Sequence, residues 1–171
     1  MNLIDIVKIY SGKFQPNLKA QLDWFRRQPS LFSTIENASL ARNSAGKRYS
    51  HQRRIKRTAL HQAKTILLAN IVLIEKAKNF DGLISLIDEL VISVHGIGEL
   101  YIYDTSLRIG SYLGLLPAYV YLHSGTRVGA KQLGLHAQSK YIEKSLLPKE
   151  LMQLEPHEIE DVLCIFKSKL S

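Results

Sequence analysis

Apolar residues recur at three- and four-residue intervals along most of the chain, the spacing that lays a stripe along one face of a helix. Leu3, Ile6, Val7 and Tyr10 form the first stripe, which Gly12 is placed to close. Beyond Pro16, the positions Leu18, Leu22, Trp24 and Phe25 predict a second helix that Pro29 ends, and Leu31, Phe32, Ile35 and Leu40 a third. Asn43-Ser44-Ala45-Gly46-Lys47 is a loop signal. Ile55, Leu60, Ala63, Leu67 and Leu68 then carry a helix into the longest apolar run, Ile66 to Ile74, which is broken by Asn70 and closed by Glu75 and Lys76. Leu83, Ile84, Ile87, Leu90 and Val91 define the next helix, with Asp81 as its N-cap, and it stops at the glycines after Val94. The alternation from Glu99 to Asp104 could pass for a strand in isolation, but the helical segments on both sides make it a helix. Gly114, Pro117, Gly125, Gly129 and Gly134 punctuate short helices, and Pro148 and Pro156 fall at first-turn positions of a last helical pair. The expected fold is therefore all-α, a single compact helical domain over 1–171 with no internal repeat.

Composition narrows the classes. With 46% hydrophobic and 22% charged residues, the chain matches an average folded domain and neither a disordered nor a fibrous one. The apolar run is well short of the roughly 20 residues of a membrane span, and residues 1–13 lack the pattern of a secretory signal, so no membrane association and a cytoplasmic location are expected. One cysteine, Cys164, can form neither an internal disulfide nor a thiolate cluster, and the six histidines show no metal-ligand spacing. No metal and no cofactor are expected, and the chain is expected to be a monomer.

Charge is the first positive clue. The 23 Lys and Arg exceed the 15 Asp and Glu, for a net charge of +8 that favours a polyanionic partner. The excess is concentrated: from Asn37 to Ile74 there is no acid, while Arg42, Lys47, Arg48, Arg53, Arg54, Lys56, Arg57 and Lys64 form a basic segment over 42–64 that also holds His51 and His61. The segment from Ile142 to the end carries six acids against four lysines. A solvated helix face is the plain reading of the basic run; backbone phosphates of DNA, held by Lys47, Arg48, Arg53, Arg54, Lys56 and Arg57, are the functional one.

The most specific local signal is Val94-His95-Gly96-Ile97-Gly98 between two apolar helical patterns. It resembles the helix-hairpin-helix motif, a DNA-binding element that recognises backbone rather than sequence. Glycine permits a tight turn and removes the Cβ that would keep a phosphate away, while unsatisfied N–H groups at the following helix start favour an anion. Gly96 and Gly98 are the candidate contacts, with Ile92, Val94 and Ile97 expected to pack the turn. The stretch after it, Tyr103-Asp104-Thr105-Ser106-Leu107-Arg108-Ile109-Gly110-Ser111-Tyr112-Leu113-Gly114-Leu115, resembles the D-T-x-x-x-R-h-x-x-x-L-G-L stretch of DNA glycosylases of the helix-hairpin-helix superfamily. The resemblance covers 81–115 and implies that Asp104 is the catalytic carboxylate. It departs from the family in spacing, since only five residues separate Gly98 from Asp104 where the family places a helix. The lysine of bifunctional members has no counterpart among Glu99, Leu100, Tyr101 and Ile102, so lyase chemistry is not implied.

Taken from the residues themselves, a carboxylate suits N-glycosidic cleavage, where it stabilises positive charge on the sugar and orients a water. Asp104 and Arg108 are also four apart, the spacing of a simple helix-surface ion pair. Tyr101, Tyr103, His95 and His123 are the candidate residues of a pocket for an extrahelical base, set against ordinary packing roles. Ser124 or Thr126 can cap a helix carrying Arg127 and Lys131, a second candidate DNA contact, which Gly134 closes; Gly125 and Gly129 serve that site or close helix packing. The expected function is a monofunctional DNA glycosylase-like hydrolase acting on a damaged or modified base, in repair or phage defence. A non-catalytic helix-hairpin-helix module that delivers a partner to DNA is the alternative. No acid cluster suits a two-metal nuclease, and no phosphate-loop signature suits an ATPase.

Overall fold

The structure, a computed structural model, describes residues 1–170 and is mainly helical. Among the described residues there are nine α-helices and one two-stranded sheet, and no helix is long and apolar enough to cross a membrane. The chain divides into two compact units, Met1–Lys19 with Pro117–Ser171, and Ala20–Leu116.

The first unit holds α1 (Leu3–Lys13), the start of α2 (Gln15–Arg26), β1 (Val120–Tyr121), α8 (Ser124–Gln132), β2 (Tyr141–Ile142) and α9 (Pro156–Ile165). Gly12 lies inside α1, and Phe14 closes that helix instead. The antiparallel strands pair Val120 with Ile142 and Tyr121 with Tyr141, a two-residue ladder too short for period-two patterning to reveal. Ile6, Val7, Tyr10, Val120, Leu122, Ile159, Val162 and Leu163 form the core. Pro156 starts α9 as expected, whereas Pro148 precedes only a 3₁₀ turn, Lys149–Leu151. Two acids of the C-terminal segment are not solvated: Glu158 and Glu160 are buried. The Glu158 carboxylate accepts from Gln15 Nε2 at 2.8 Å and from the Glu155 N–H at 2.9 Å.

Beside them, burial holds His157 below the usual imidazole range against the opposing pull of Glu158 and Glu155. The folded chain therefore binds this proton less readily than the unfolded chain, whose imidazole titrates near 6.5. Stability from this site is present above that value and is lost as pH falls from about 6.5 toward the lowered folded value. Melts of wild type and His157→Gln between neutral and mildly acid pH check this: the wild type should lose more thermal stability than the variant.

The second unit holds the rest of α2, then α3 (Leu31–Ser39), α4 (Arg57–Ala69), α5 (Ile71–Glu75), α6 (Phe80–Val91) and α7 (Glu99–Leu113). Ser30 and Asn79 cap α3 and α6 through side-chain oxygens, so Asp81 falls inside the first turn of α6 instead of at its cap. α7 packs against α3 and α6, and α4 against α3 and α6, around Phe25, Ile35, Leu60, Leu67, Leu83, Ile87 and Ile109. The expected helix through the long apolar run is interrupted. The Asn70 amide donates to the Ile66 carbonyl at 2.8 Å and ends α4, and the short α5 leaves Val72 and Leu73 exposed. α7 ends in Gly114 at φ +73°, the left-handed cap that a glycine provides.

Candidate functional site

The basic segment is mostly not a helix. After α3 the chain turns through Ala41, closes a loop with an Arg42–Arg48 bridge, and makes a 3₁₀ turn at Ser50–Gln52 before α4 begins at Arg57. Arg53, Arg54 and Lys56 thus precede the helix expected to carry them. No acid lies within the segment, and its loop is ordered by hydrogen bonds to its own backbone. The Asn43 side chain accepts from the Ala45 and Lys47 N–H groups at 3.0 Å, and Tyr49 N–H donates to the Ala41 carbonyl at 3.0 Å. Arg42, Arg48, Arg57 and His61, with Leu40, Gly46 and Leu60, line an open cavity of about 280 Å³. Three guanidiniums and an imidazole with no carboxylate make this lining suited to an oxyanion.

Asp104 lies on α7, the helix after the glycine turn, and its Oδ2 is the meeting point of that helix and the basic segment. His51 Nε2 donates to it at 2.7 Å and Gln52 Nε2 at 2.6 Å, while Arg108, one turn along α7, donates at 3.3 Å. Arg108 also donates to Gln52 Oε1 at 3.3 Å and lies over the Tyr49 ring, 4.1 Å from its centroid. Gln52 and Arg108 are buried, Asp104 is 16% exposed in its side chain and His51 46%. The carboxylate is thus held from the protein side and reachable from solvent, beside an imidazole whose Nδ1 faces away from the bond. Burial pushes the Tyr49 hydroxyl above its ordinary value, against the pull of the Arg108 cation, so it is a donor and not a base near neutrality.

The other expected site residues are dispersed. Tyr101 is buried with its hydroxyl donating to the Ser39 carbonyl at 2.9 Å, and Tyr103 packs edge-on to Phe80. His95 is exposed in the glycine turn. His123 belongs to the first unit, where it caps α8: its Nδ1 accepts from the Gly125 N–H at 3.3 Å, and the Thr126 hydroxyl accepts from the His123 N–H. That helix start is therefore capped internally, by His123 and not by Ser124. Arg127 Nη1 donates to the carbonyls of Ala137 and Ser139 at 2.9 and 2.8 Å, which orders the following loop, and Lys131 is exposed. Sequence reasoning does not single out His51, Gln52 or Tyr49 as companions of Asp104; the structure does.

α6 and α7 are joined by the turn 92–98, with Gly96 at φ +92° and Gly98 as the N-cap of α7. Val94 is buried and Ile97 half-buried, but Ile92 is 81% exposed and does not pack the turn. No side chain caps α7, and Glu99 stands in its first turn. Gly98 offers a clean test of close approach: its φ of −132° suits any residue, and an added Cβ would meet nothing within 4 Å. Gly98→Ala should cost less than about 1 kcal/mol in stability, the N-cap preference alone. If a phosphate approaches this backbone, duplex affinity measured by fluorescence anisotropy should fall several-fold in the same folded variant. Unchanged affinity would make the turn structural.

Comparison of the chain with protein-family models, curated proteins and solved structures found no match.

Proposed function

We propose that the chain is a DNA-directed N-glycosidic hydrolase, with Asp104 as the working carboxylate and the basic segment and glycine turn as its grip on the backbone. The observation that carries this reading is the convergence on Asp104 Oδ2 of His51 and Gln52 from the acid-free segment and Arg108 from α7. A carboxylate so placed sits beside the acid-free basic segment, which would draw in a phosphodiester chain. There it opposes the positive charge that builds on a sugar as its base departs, and His51 is positioned to order or deprotonate the attacking water. The cavity between Arg42, Arg48 and Arg57 serves as a seat for a phosphate near the reacting nucleotide.

A second reading is favoured by one observation: Arg108 is 2% exposed. A buried cation needs a fixed anion, so Asp104 could serve wholly to neutralise Arg108 and anchor the basic segment, giving a DNA-binding module without chemistry. Incubating the protein with genomic DNAs that carry different base modifications, then measuring released bases and abasic sites, separates the two. Base release from at least one DNA supports hydrolysis; retention without release on all of them supports the module.

Either reading predicts how the exposed cations behave. Reversing the charge of Arg53 and Arg54 together should weaken duplex binding by a similar factor for unrelated sequences, and should flatten its dependence on salt by about one unit of slope for each phosphate no longer held. Binding titrations at several salt concentrations check this, and unchanged binding at low salt would assign both side chains to solvation.

A further inference from the structure

The first unit contains a second constellation of reactive side chains that the DNA reading does not use. The His123 ring is fixed on both sides: Nδ1 accepts from the Gly125 N–H, and Nε2 donates to Glu160 Oε1 at 2.5 Å. Glu160 and Cys164 are four residues apart on α9 and so share a face. α8 lies close against that face. A Cβ added at Gly125 would stand 3.0 Å from Cys164 Sγ and 3.4 Å from His123 Cε1, and one at Gly129 only 2.2 Å from the Leu163 carbonyl oxygen. The two glycines thus let an imidazole, a carboxylate and a thiol gather with one ligand atom from each within 4.8 Å of the others. His123 and Glu160 are buried, and Cys164 is half-buried.

We propose that His123, Glu160 and Cys164 form a three-ligand site for a divalent ion of the zinc class, with the fourth position open to water or an external ligand. The donor set decides the ion. Thiolate, imidazole and carboxylate together suit zinc and cobalt, whereas magnesium and calcium take oxygen ligands. Bond lengths of about 2.0 to 2.3 Å around a tetrahedral ion put its ligands about 3.3 to 3.8 Å apart. Binding therefore requires the His123–Glu160 pair to open by about 1 Å and the thiol to move in. On binding, Cys164 releases its S–H proton to solvent, and the proton on His123 Nε2 moves to Nδ1 as the metal–Nε2 bond forms. One proton leaves per ion bound, and the long Gly125 N–H bond is given up. This site is independent of Asp104, and ligand spacing does not reveal it because His123 stands 37 residues from Glu160.

The test is a cobalt titration of the reduced, untagged full chain, followed by zinc competition. The expected result is one cobalt per chain, with intense visible bands of a tetrahedral ion and a near-ultraviolet thiolate-to-cobalt band, both abolished by zinc and unaffected by magnesium. Cys164→Ser should keep the wild-type melting temperature, lose the thiolate band and bind cobalt about tenfold or more weakly. Zinc should also slow alkylation of Cys164 by iodoacetamide in the wild type, a readout that requires no variant to fold. A wild-type spectrum matching hydrated cobalt overturns the proposal, as does an alkylation rate indifferent to zinc. Unaltered cobalt affinity in Cys164→Ser overturns it as well.

Discussion

Asp104→Asn should, on the proposed function, reduce base release by about a hundred- to a thousand-fold while DNA binding holds, because the substitution keeps the size and shape of the side chain but removes the charge that would oppose an oxocarbenium ion and turns one acceptor oxygen into a donor. If this surface faces phosphate, removing a negative charge from it should leave affinity equal or slightly higher. Stability changes too. Arg108 is buried, so its ion pair with Asp104 is worth more than the few tenths of a kcal/mol of an exposed pair at this spacing, and the variant should also melt at a lower temperature. Loss of activity must therefore be measured below the variant's transition. His51→Ala supplies the control, since His51 is half exposed and its removal leaves the Gln52 and Arg108 bonds to Asp104 in place. If His51 handles the water, this variant stays folded and loses base release. A fully active Asp104→Asn protein would leave the carboxylate with an anchoring role alone.

A large loss of stability is expected from a single methyl group in the other unit. An alanine Cβ at Gly129 would stand 2.2 Å from the Leu163 carbonyl oxygen and 2.9 Å from its carbon, distances no side-chain rotation relieves because the obstacle is backbone. α8 must move off α9, and overpacking of this kind costs about 1 to 3 kcal/mol. Chemical denaturation of Gly129→Ala against wild type should show that loss, with Gly134→Ala for comparison: at Gly134 the space is open and only the left-handed φ of +70° resists the change. A Gly129→Ala protein as stable as the wild type would mean that α8 shifts at no cost.

Much of this architecture is legible in the sequence because helices announce themselves locally. Three- and four-residue spacing marks the stripes of α1, α2, α3 and α6, α7 is legible only from the helical segments around it, and the Asp104–Arg108 pair follows from helix geometry alone. What escapes depends on other forces. Asn70 stops α4 through a side-chain bond to its own helix, a competition that periodicity does not register. Arg53, Arg54 and Lys56 sit outside α4 because the preceding chain is committed to a bridge and a 3₁₀ turn. His51 and Gln52 reach Asp104 across more than fifty residues, and no spacing rule spans such a distance. Glu160 and Cys164 do carry a usable signal in their i,i+4 relation on an apolar helix, but His123 enters that cluster through its cap at the far end of another helix.

The anchoring of the basic segment has a consequence for how the chain meets a protease. Between Ala41 and Arg57 are lysines and arginines that are largely exposed and outside any α-helix, the sites where trypsin cuts folded proteins first. Among the contacts that restrain this stretch are the Arg42–Arg48 bridge near its start, the His51 and Gln52 bonds to Asp104 near its middle, and the bond from Arg48 to the Ile55 carbonyl at 2.9 Å. Its susceptibility is thus tied in part to one carboxylate on a distant helix: loosening Asp104 should speed cleavage at Arg53 and Arg54, and a duplex seated there, as proposed, would shield the same bonds, so that the cutting pattern would report occupancy of the segment from within the chain.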